Sequence, residues 1–186
     1  MIDKTVIIGH GPSLQNSNKG EYIDSFKYII RFPYLKDWQT PKDYGTRTSF
    51  FCGTVGRFRK RSRKKQIPDH GYYIWSKEQK FANLPSANYI DVTDLIVSWQ
   101  KHITECRHPF FTHGTAGICI AAALLKKSIV VLGCDRLKTG DVTSKKYIGS
   151  WVYEGRPRHG IGHPLDQERK IIDKIAEFYN LKIEFE

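Results

Sequence analysis

No segment of this sequence approaches the roughly 18–20 consecutive apolar residues that a bilayer-spanning helix requires. The opening Met1-Ile2-Asp3-Lys4 passes at once into Thr5-Val6-Ile7-Ile8. That run is too short for the apolar region of a secretion signal and lacks its cleavage pattern. The four cysteines, Cys52, Cys106, Cys119 and Cys134, form no Cys-x-x-Cys pair, which argues against a zinc knuckle. Cys119 and Cys134 lie in apolar runs, where buried free thiols are common. The expectation is a cytoplasmic protein in a reducing compartment, with no anchor of its own. Chemical signatures are missing too. There is no Asp-x-Asp pair to hold a divalent cation on a diphosphate, no Gly-Lys-Ser/Thr of a P-loop and no Gly-x-Ser-x-Gly nucleophile turn. No internal repeat or low-complexity linker interrupts the chain.

What is present suits one domain spanning residues 1–186. Hydrophobic residues at 40% and aromatics at 13% argue for a folded globule over a disordered chain. The net charge is +11, much of it in Arg57-Phe58-Arg59-Lys60-Arg61-Ser62-Arg63-Lys64-Lys65. This run reads either as a solvated mobile loop over 57–66 or as a patch for nucleic acid, an anionic surface or an anionic substrate. The two readings are compatible, because positive potential near the mouth of a site steers an anionic ligand.

Apolar runs predict strands at Thr5–Ile8, Lys27–Phe32, Ser49–Cys52, Tyr72–Trp75, Tyr89–Val92, Ile129–Leu132 and Leu181–Phe185. Helices are expected over Asp94 to about Glu105, over the Ala- and Leu-rich Ala116–Lys127, and over Pro164–Tyr179. The last of these places Leu165, Ile172, Ile175, Ala176 and Tyr179 on one face. Strands alternating with helices indicate an α/β domain with a largely parallel sheet. Ligands in such folds bind at the carboxyl ends of the strands. Three polar segments fall there: Gly9–Ser13, Arg31–Pro33 and Gly133-Cys134-Asp135.

Three motifs carry chemistry. Gly9-His10-Gly11-Pro12-Ser13-Leu14 follows a strand, where glycines let backbone approach a phosphate or ribose or simply make a tight turn. It lacks the third glycine of the dinucleotide fingerprint. Gly114-Thr115-Ala116-Gly117 opens the apolar helix. Its start is either an anion site or a Thr115 cap with close packing at Gly117. In His163-Pro164-Leu165-Asp166-Gln167-Glu168, proline at the first helical position puts His163 at the N-cap. There the helix dipole disfavours imidazolium and leaves the neutral ring that a general base requires. Asp166 and Glu168 suit the same dipole.

In this order and spacing the segments resemble the sialyltransferases of glycosyltransferase family 29, in a minimal cytoplasmic bacterial or viral form. The large sialylmotif is similar to Val6–Leu14, Gly20-Glu21-Tyr22-Ile23-Asp24, Ile29-Ile30-Arg31 and Asp43-Tyr44-Gly45-Thr46-Arg47-Thr48. The small motif resembles Gly114–Gly117 through Val131–Asp135. The third resembles Trp151-Val152-Tyr153-Glu154, and the very small motif His163 with Glu168. Bacterial sialyltransferases with a Gly-x-Gly-Pro-Ser-Leu loop share some of this. Residues 53–111 are not matched. The resemblance implies a single-domain Rossmann-like, variant GT-A fold and a CMP-sugar donor, by default CMP-N-acetylneuraminic acid, with Kdo-like sugars as the alternative. It implies a glycan or glycolipid acceptor, and inversion without metal or other cofactor. By position, His163 is the base, with Tyr153 and Glu168 as catalytic partners. Gly9, His10, Gly11, Ser13, Arg31, Thr115, Ala116, Gly117, Asp135 and Trp151 are donor-binding. The sequence departs from the family where His10 replaces an asparagine, where Phe32-Pro33 stands near a second asparagine, and where Trp151 replaces a histidine. The secretory members' cysteine pair is absent. A nucleotide- or nucleic-acid-binding module without transfer activity is the alternative, and a transferase reduced to donor hydrolysis a third.

Overall fold

The apolar runs become the strands of one sheet. The computed structural model describes residues 1–32, 40–55, 71–75, 89–102, 111–139 and 165–186. The basic run 57–65, Cys106, Trp151, Tyr153, Glu154 and His163 lie outside them. Among the described residues, the strands are β1 (Ile2–Ile8), β2 (Phe26–Arg31), β3 (Phe50–Thr54), β4 (Gly71–Trp75), β5 (Tyr89–Asp91), β6 (Ile129–Leu132) and β7 (Ile183–Phe185). They form one sheet in the order β5-β4-β3-β2-β1-β6-β7. Every neighbouring pair is parallel. The helices are α1 (Gly20–Asp24), α2 (Pro41–Tyr44), α3 (Thr93–Gln100), α4 (His113–Ile120), α5 (Asp135–Thr139) and α6 (Leu165–Phe178).

Strands covered on both faces read as continuous apolar runs. In β1, Val6 and Ile8 join Ile29, Val130 and Leu132 on one face, with Leu14, Ile23, Phe26 and Tyr44 packed over them. Ile7 turns the other way, with Ile30, Ile129 and Val131, toward α4 and α6. Helix α4 is buried from Gly114 to Ile120. A methyl on Gly117 would come within 3.3 Å of the Phe32 ring and 3.5 Å of Ile7 Cγ2, so the small residue sets the close approach of α4 to the sheet. Helix α6 is amphipathic, burying Leu165, Glu168, Ile171, Ile172 and Ile175. It ends where Asn180 takes a left-handed φ of 51° and the Leu181 N–H closes back onto the Ala176 carbonyl.

Most boundaries differ from expectation by one or more residues, and three of the differences have a visible cause. Strand β1 begins at Ile2, because Asp3 and Lys4 are neutralised by Lys127, Lys27 and Glu184 and a register shift falls between Ile2 and Thr5. Helix α3 starts after an Asx-turn in which Asp91 accepts the Thr93 N–H at 2.8 Å, which also stops β5 before Val92. Helix α4 begins at His113, three residues before Ala116, and passes into a π-helical turn over Ala121–Leu125 that closes at Lys126, φ 49°.

Asp24, Asp43, Arg31 and Arg47 latch the β1–β3 connections. Asp24 accepts from the Thr46 N–H and hydroxyl and the Arg47 N–H. Asp43 accepts from the Asn16 and Asn18 N–H groups, each at 2.9 Å. Burial pushes the Asp24 carboxyl up, but the Thr46 and Arg47 donors outweigh it and hold it below its ordinary value. The Asn18 N–H, opposed by burial and aided by Asn16, does the same for Asp43. Carboxylates depressed in the folded state contribute stability above their unfolded pKa, about 4, and lose it as pH falls through the folded value. Thermal melts between neutral and strongly acid pH should therefore show stability declining below about pH 4. In Asp24→Asn the midpoint should drop at neutral pH and the acid dependence flatten. An unaltered acid profile in that variant would contradict the latch.

Candidate active site

The strand order reverses between β1 and β6: β2 to β5 extend to one side of β1, and β6 and β7 return on the other. A crevice opens at such a switch point, outside the carboxyl ends of the strands. The loop after β1 and the loop after β6 form its floor, and the starts of α4 and α6 stand over it.

The two loops are zipped together. The Gly9 N–H donates to the Leu132 carbonyl at 2.7 Å and the Gly11 N–H to the Gly133 carbonyl at 2.6 Å. Asp135 accepts the Ser13 N–H at 3.0 Å and the Ser13 hydroxyl. A Cβ on Gly9 would fall on the Gly133 carbonyl and one on Gly11 on the Asp135 carboxylate. Gly133 itself sits at φ 65°, a conformation that favours glycine. The N–H groups of Gly9 and Gly11 are thus engaged within the protein. These residues, with Ser13 and Asp135, shape the crevice floor and do not present those N–H groups to a phosphate.

Arg31 is likewise turned to backbone groups. Arg31 is 4% exposed and its guanidinium donates to the Arg47 and Tyr44 carbonyls. Burial lowers its pKa to about 10, the Asp24 charge opposing, so it stays charged at neutral pH. It backs Tyr44, whose hydroxyl reaches the Gly11 carbonyl at 3.4 Å. The expected donor-binding arginine therefore supports the loop from behind.

At the start of α4 the cap is Thr112, not Thr115. The Thr115 N–H donates to Thr112 Oγ1 at 3.2 Å. The Thr115 hydroxyl instead donates to Glu168, which is 0% exposed and also accepts the Thr112 N–H at 3.0 Å and the Thr112 hydroxyl at 2.8 Å. A carboxylate from α6 thus occupies the positive end of α4, the place where sequence reasoning put a ligand anion. Arg169 beside it donates to the Leu137 and Lys138 carbonyls of α5 at 2.6 Å. Two consecutive residues in the first turn of α6 tie it to both neighbours.

Sequence reasoning missed Thr112 and Arg169, although a threonine just before a helical run is a capping signal. It also missed a row of rings along the carboxyl edge. His10 meets Phe32 edge-on at 6.1 Å, Phe32 meets His113 at 5.8 Å, and His113 meets Trp75 at 5.5 Å. Ala116 and Gly117 lie within the buried stretch of α4. Cys52, Cys119 and Cys134 are free and buried, and burial raises the pKa of each thiol, Cys134 to about 12. Among the described residues no acid, histidine and cysteine cluster could hold a metal ion, and no helix is long and apolar enough to cross a membrane.

A mammalian sialyltransferase solved in complex with Gal-beta-1-3GalNAc-ortho-nitrophenol superposes with a TM-score of 0.59 at 14% identity, over 97% of this chain and 68% of its own. The chain is similar in fold to mammalian sialyltransferases. A second mammalian sialyltransferase structure matches with a TM-score of 0.57, also at 14% identity and with the same coverage. No protein-family model and no curated protein matches the sequence. The likeness is therefore one of fold.

Glu168→Ala should remove three acceptor contacts at a buried helix end and destabilise the chain by about 2–4 kcal/mol in urea unfolding. Loss below about 0.5 kcal/mol would mean that the carboxylate is not the tie between α4 and α6.

Proposed function

We propose that this chain is an inverting glycosyltransferase that moves a sialic acid or related sugar from a CMP-sugar to an acceptor hydroxyl, with His163 as general base. The observation that carries this is the contact between Thr115 and Glu168, 53 positions apart in sequence. The segments that resemble the small and very small sialylmotifs meet there, in a chain whose fold is similar to that of mammalian sialyltransferases. His163 is two residues before Leu165, so the chain holds its Cα within about 7 Å of the start of α6. Glu168 and Arg169 anchor that start beside the crevice.

In the proposed reaction the acceptor oxygen attacks the anomeric carbon while the bond from that carbon to the CMP phosphate oxygen breaks. The bonding pair leaves with CMP, and His163 takes the hydroxyl proton. The transition state has oxocarbenium character, and charge on the departing phosphate is met by hydrogen bonds and cations. Tyr153, His10, Arg156 and His159 are the candidates for that role. Glu168 is assigned as a positioning residue, since its carboxylate is buried against Thr112 and Thr115. The floor residues Gly9, Gly11, Ser13 and Asp135 give the donor site its shape. Trp151 is assigned to complete it, and Thr115, Ala116 and Gly117, buried in α4, support it from behind.

His163→Ala should slow transfer by about 10²–10⁴-fold while CMP binding persists, and EDTA should leave the rate unchanged. Near-normal transfer by that variant would remove His163 from the mechanism. In thermal shift, CMP should stabilise the protein where UDP, GDP and NAD do not. A preference for UDP would overturn the donor assignment.

A further inference from the structure

The amino edge of the sheet, opposite the crevice, carries a second ring cluster. Helix α6 ends at Phe178, Tyr179 follows it, and Trp99 stands in the last turn of α3. Trp99 meets Phe178 at 5.8 Å and Tyr179 at 6.4 Å, Phe178 meets Tyr179 at 4.9 Å, and His102 lies 5.7 Å from Trp99. Trp99 and Tyr179 are half-buried and pack on the core. Phe178 is 72% exposed, and Leu124, in the π-helical turn after α4, is 46% exposed. The Ile129 N–H donates to the Lys182 carbonyl at 2.8 Å and the Thr5 N–H to the Ser128 carbonyl at 3.0 Å. These bonds seat the segments leaving α4 and α6 side by side at the starts of β1, β6 and β7. Apolar surface rimmed by polar groups marks interaction sites.

The charge along this edge is positive. Among the described residues, Asp3 faces two lysines, Lys27 and Lys127, and Glu184 faces Lys4 and Lys182. Lys101, next to His102, and Lys126, two residues beyond Leu124, are exposed and paired with no described acid. Glu177, beside Phe178, is set against them, and Asp173 and Lys174 one turn back offset each other. A second copy of the chain seated on this face would set lysines against lysines. The rings cross nearly at right angles, 81° for Trp99 on Phe178 and 83° for Phe178 on Tyr179. They do not form the parallel platforms on which bases stack. An anionic bilayer matches both the rings and the charge. Trp and Tyr settle at the headgroup level with their polar tips wet, a phenyl ring enters the acyl boundary, and lysines reach out to anionic headgroups.

We infer that this edge docks the chain on an anionic phospholipid bilayer, with Phe178 inserted and Lys101 and Lys126 against the headgroups. The inference does not depend on the proposed reaction, since the surface lies at the opposite end of the sheet from the crevice. So seated, the chain turns the carboxyl edge of its sheet away from the bilayer.

The test is co-sedimentation of the full chain with vesicles of phosphatidylcholine alone and of phosphatidylcholine with about one-third phosphatidylglycerol, at low and high salt. The chain should partition onto the anionic vesicles, less so in high salt, and not onto the neutral ones. Phe178→Ser should weaken partitioning by about tenfold, and Lys101→Gln and Lys126→Asn by about fivefold each, with melting temperatures near that of the wild-type chain. Asparagine suits the left-handed φ of 49° at Lys126. If Phe178→Ser does not fold, the lysine variants carry the test. Failure of the wild-type chain to bind anionic vesicles overturns the inference. So does undiminished partitioning in Phe178→Ser or in the combined lysine variant, which would leave the attraction to other basic residues such as the run 57–65. A concentration-dependent dimer, or oligonucleotide binding, that Phe178→Ser abolishes while vesicle binding persists would assign the rings to a second copy or to nucleic acid and overturn it as well.

Discussion

The buried carboxylate of Glu168 ties the start of α4 to the start of α6. It accepts from Thr112 and Thr115 at the positive end of α4 while itself standing in the first turn of α6. A buried charge is tolerable only when paired or fully hydrogen-bonded. Here hydroxyl and amide donors and the helix dipole meet that condition. Thr112 and Thr115 precede Glu168 by more than 50 positions in sequence, yet the two helix starts meet. Without the carboxylate, apolar packing of Ile171, Ile172 and Ile175 would hold α6 against the sheet but would not set the placement of its first turn. The segment carrying His163 enters the helix at that turn.

A second set of constraints fixes the floor. The sheet supplies two adjacent parallel strands, β1 and β6, whose following loops must pass at backbone contact. Glycine at 9, 11 and 133 allows it, and Ser13 with Asp135 closes it. Behind this, Arg31, Asp24, Asp43 and Arg47 bind backbone groups of the neighbouring connections. These charged side chains bind N–H and carbonyl groups left open where short helices meet loops. Fixed geometry of that kind is what catalysis by positioning requires.

The sheet was legible in the sequence because its central strands are apolar on both faces. Thr5–Ile8 and Ile129–Leu132 cannot be placed anywhere but the interior. Element ends were less legible, because they depend on partners distant in sequence, such as Lys127 and Lys27 for Asp3, or the bulge that lets Ile2 pair with Phe26. The candidate site was legible as a set of segments and much less so as a set of roles. Gly9, Gly11, Arg31 and Asp135 are residue types that serve ligands and loop packing equally well. Only the contacts of Gly133, Tyr44 and Ser13 decide which use a given N–H or guanidinium has. Thr115 and Glu168 were both singled out, but nothing local says that they touch. The ring row escaped notice because Phe32, Trp75 and His113 come from three separate elements and share no motif.

The central claim is that the Glu168 link aligns two helix starts for glycosyl transfer. Acceptor-dependent release of CMP from CMP-N-acetylneuraminic acid tests it most directly, measured for the wild-type chain, Thr115→Val, Glu168→Gln and the double variant. The account predicts release by the wild-type chain, slower release by each single variant, and a double variant no slower than the slower single one, because both remove the same link. Absence of acceptor-dependent release by the wild-type chain, or losses that multiply in the double variant, would contradict it.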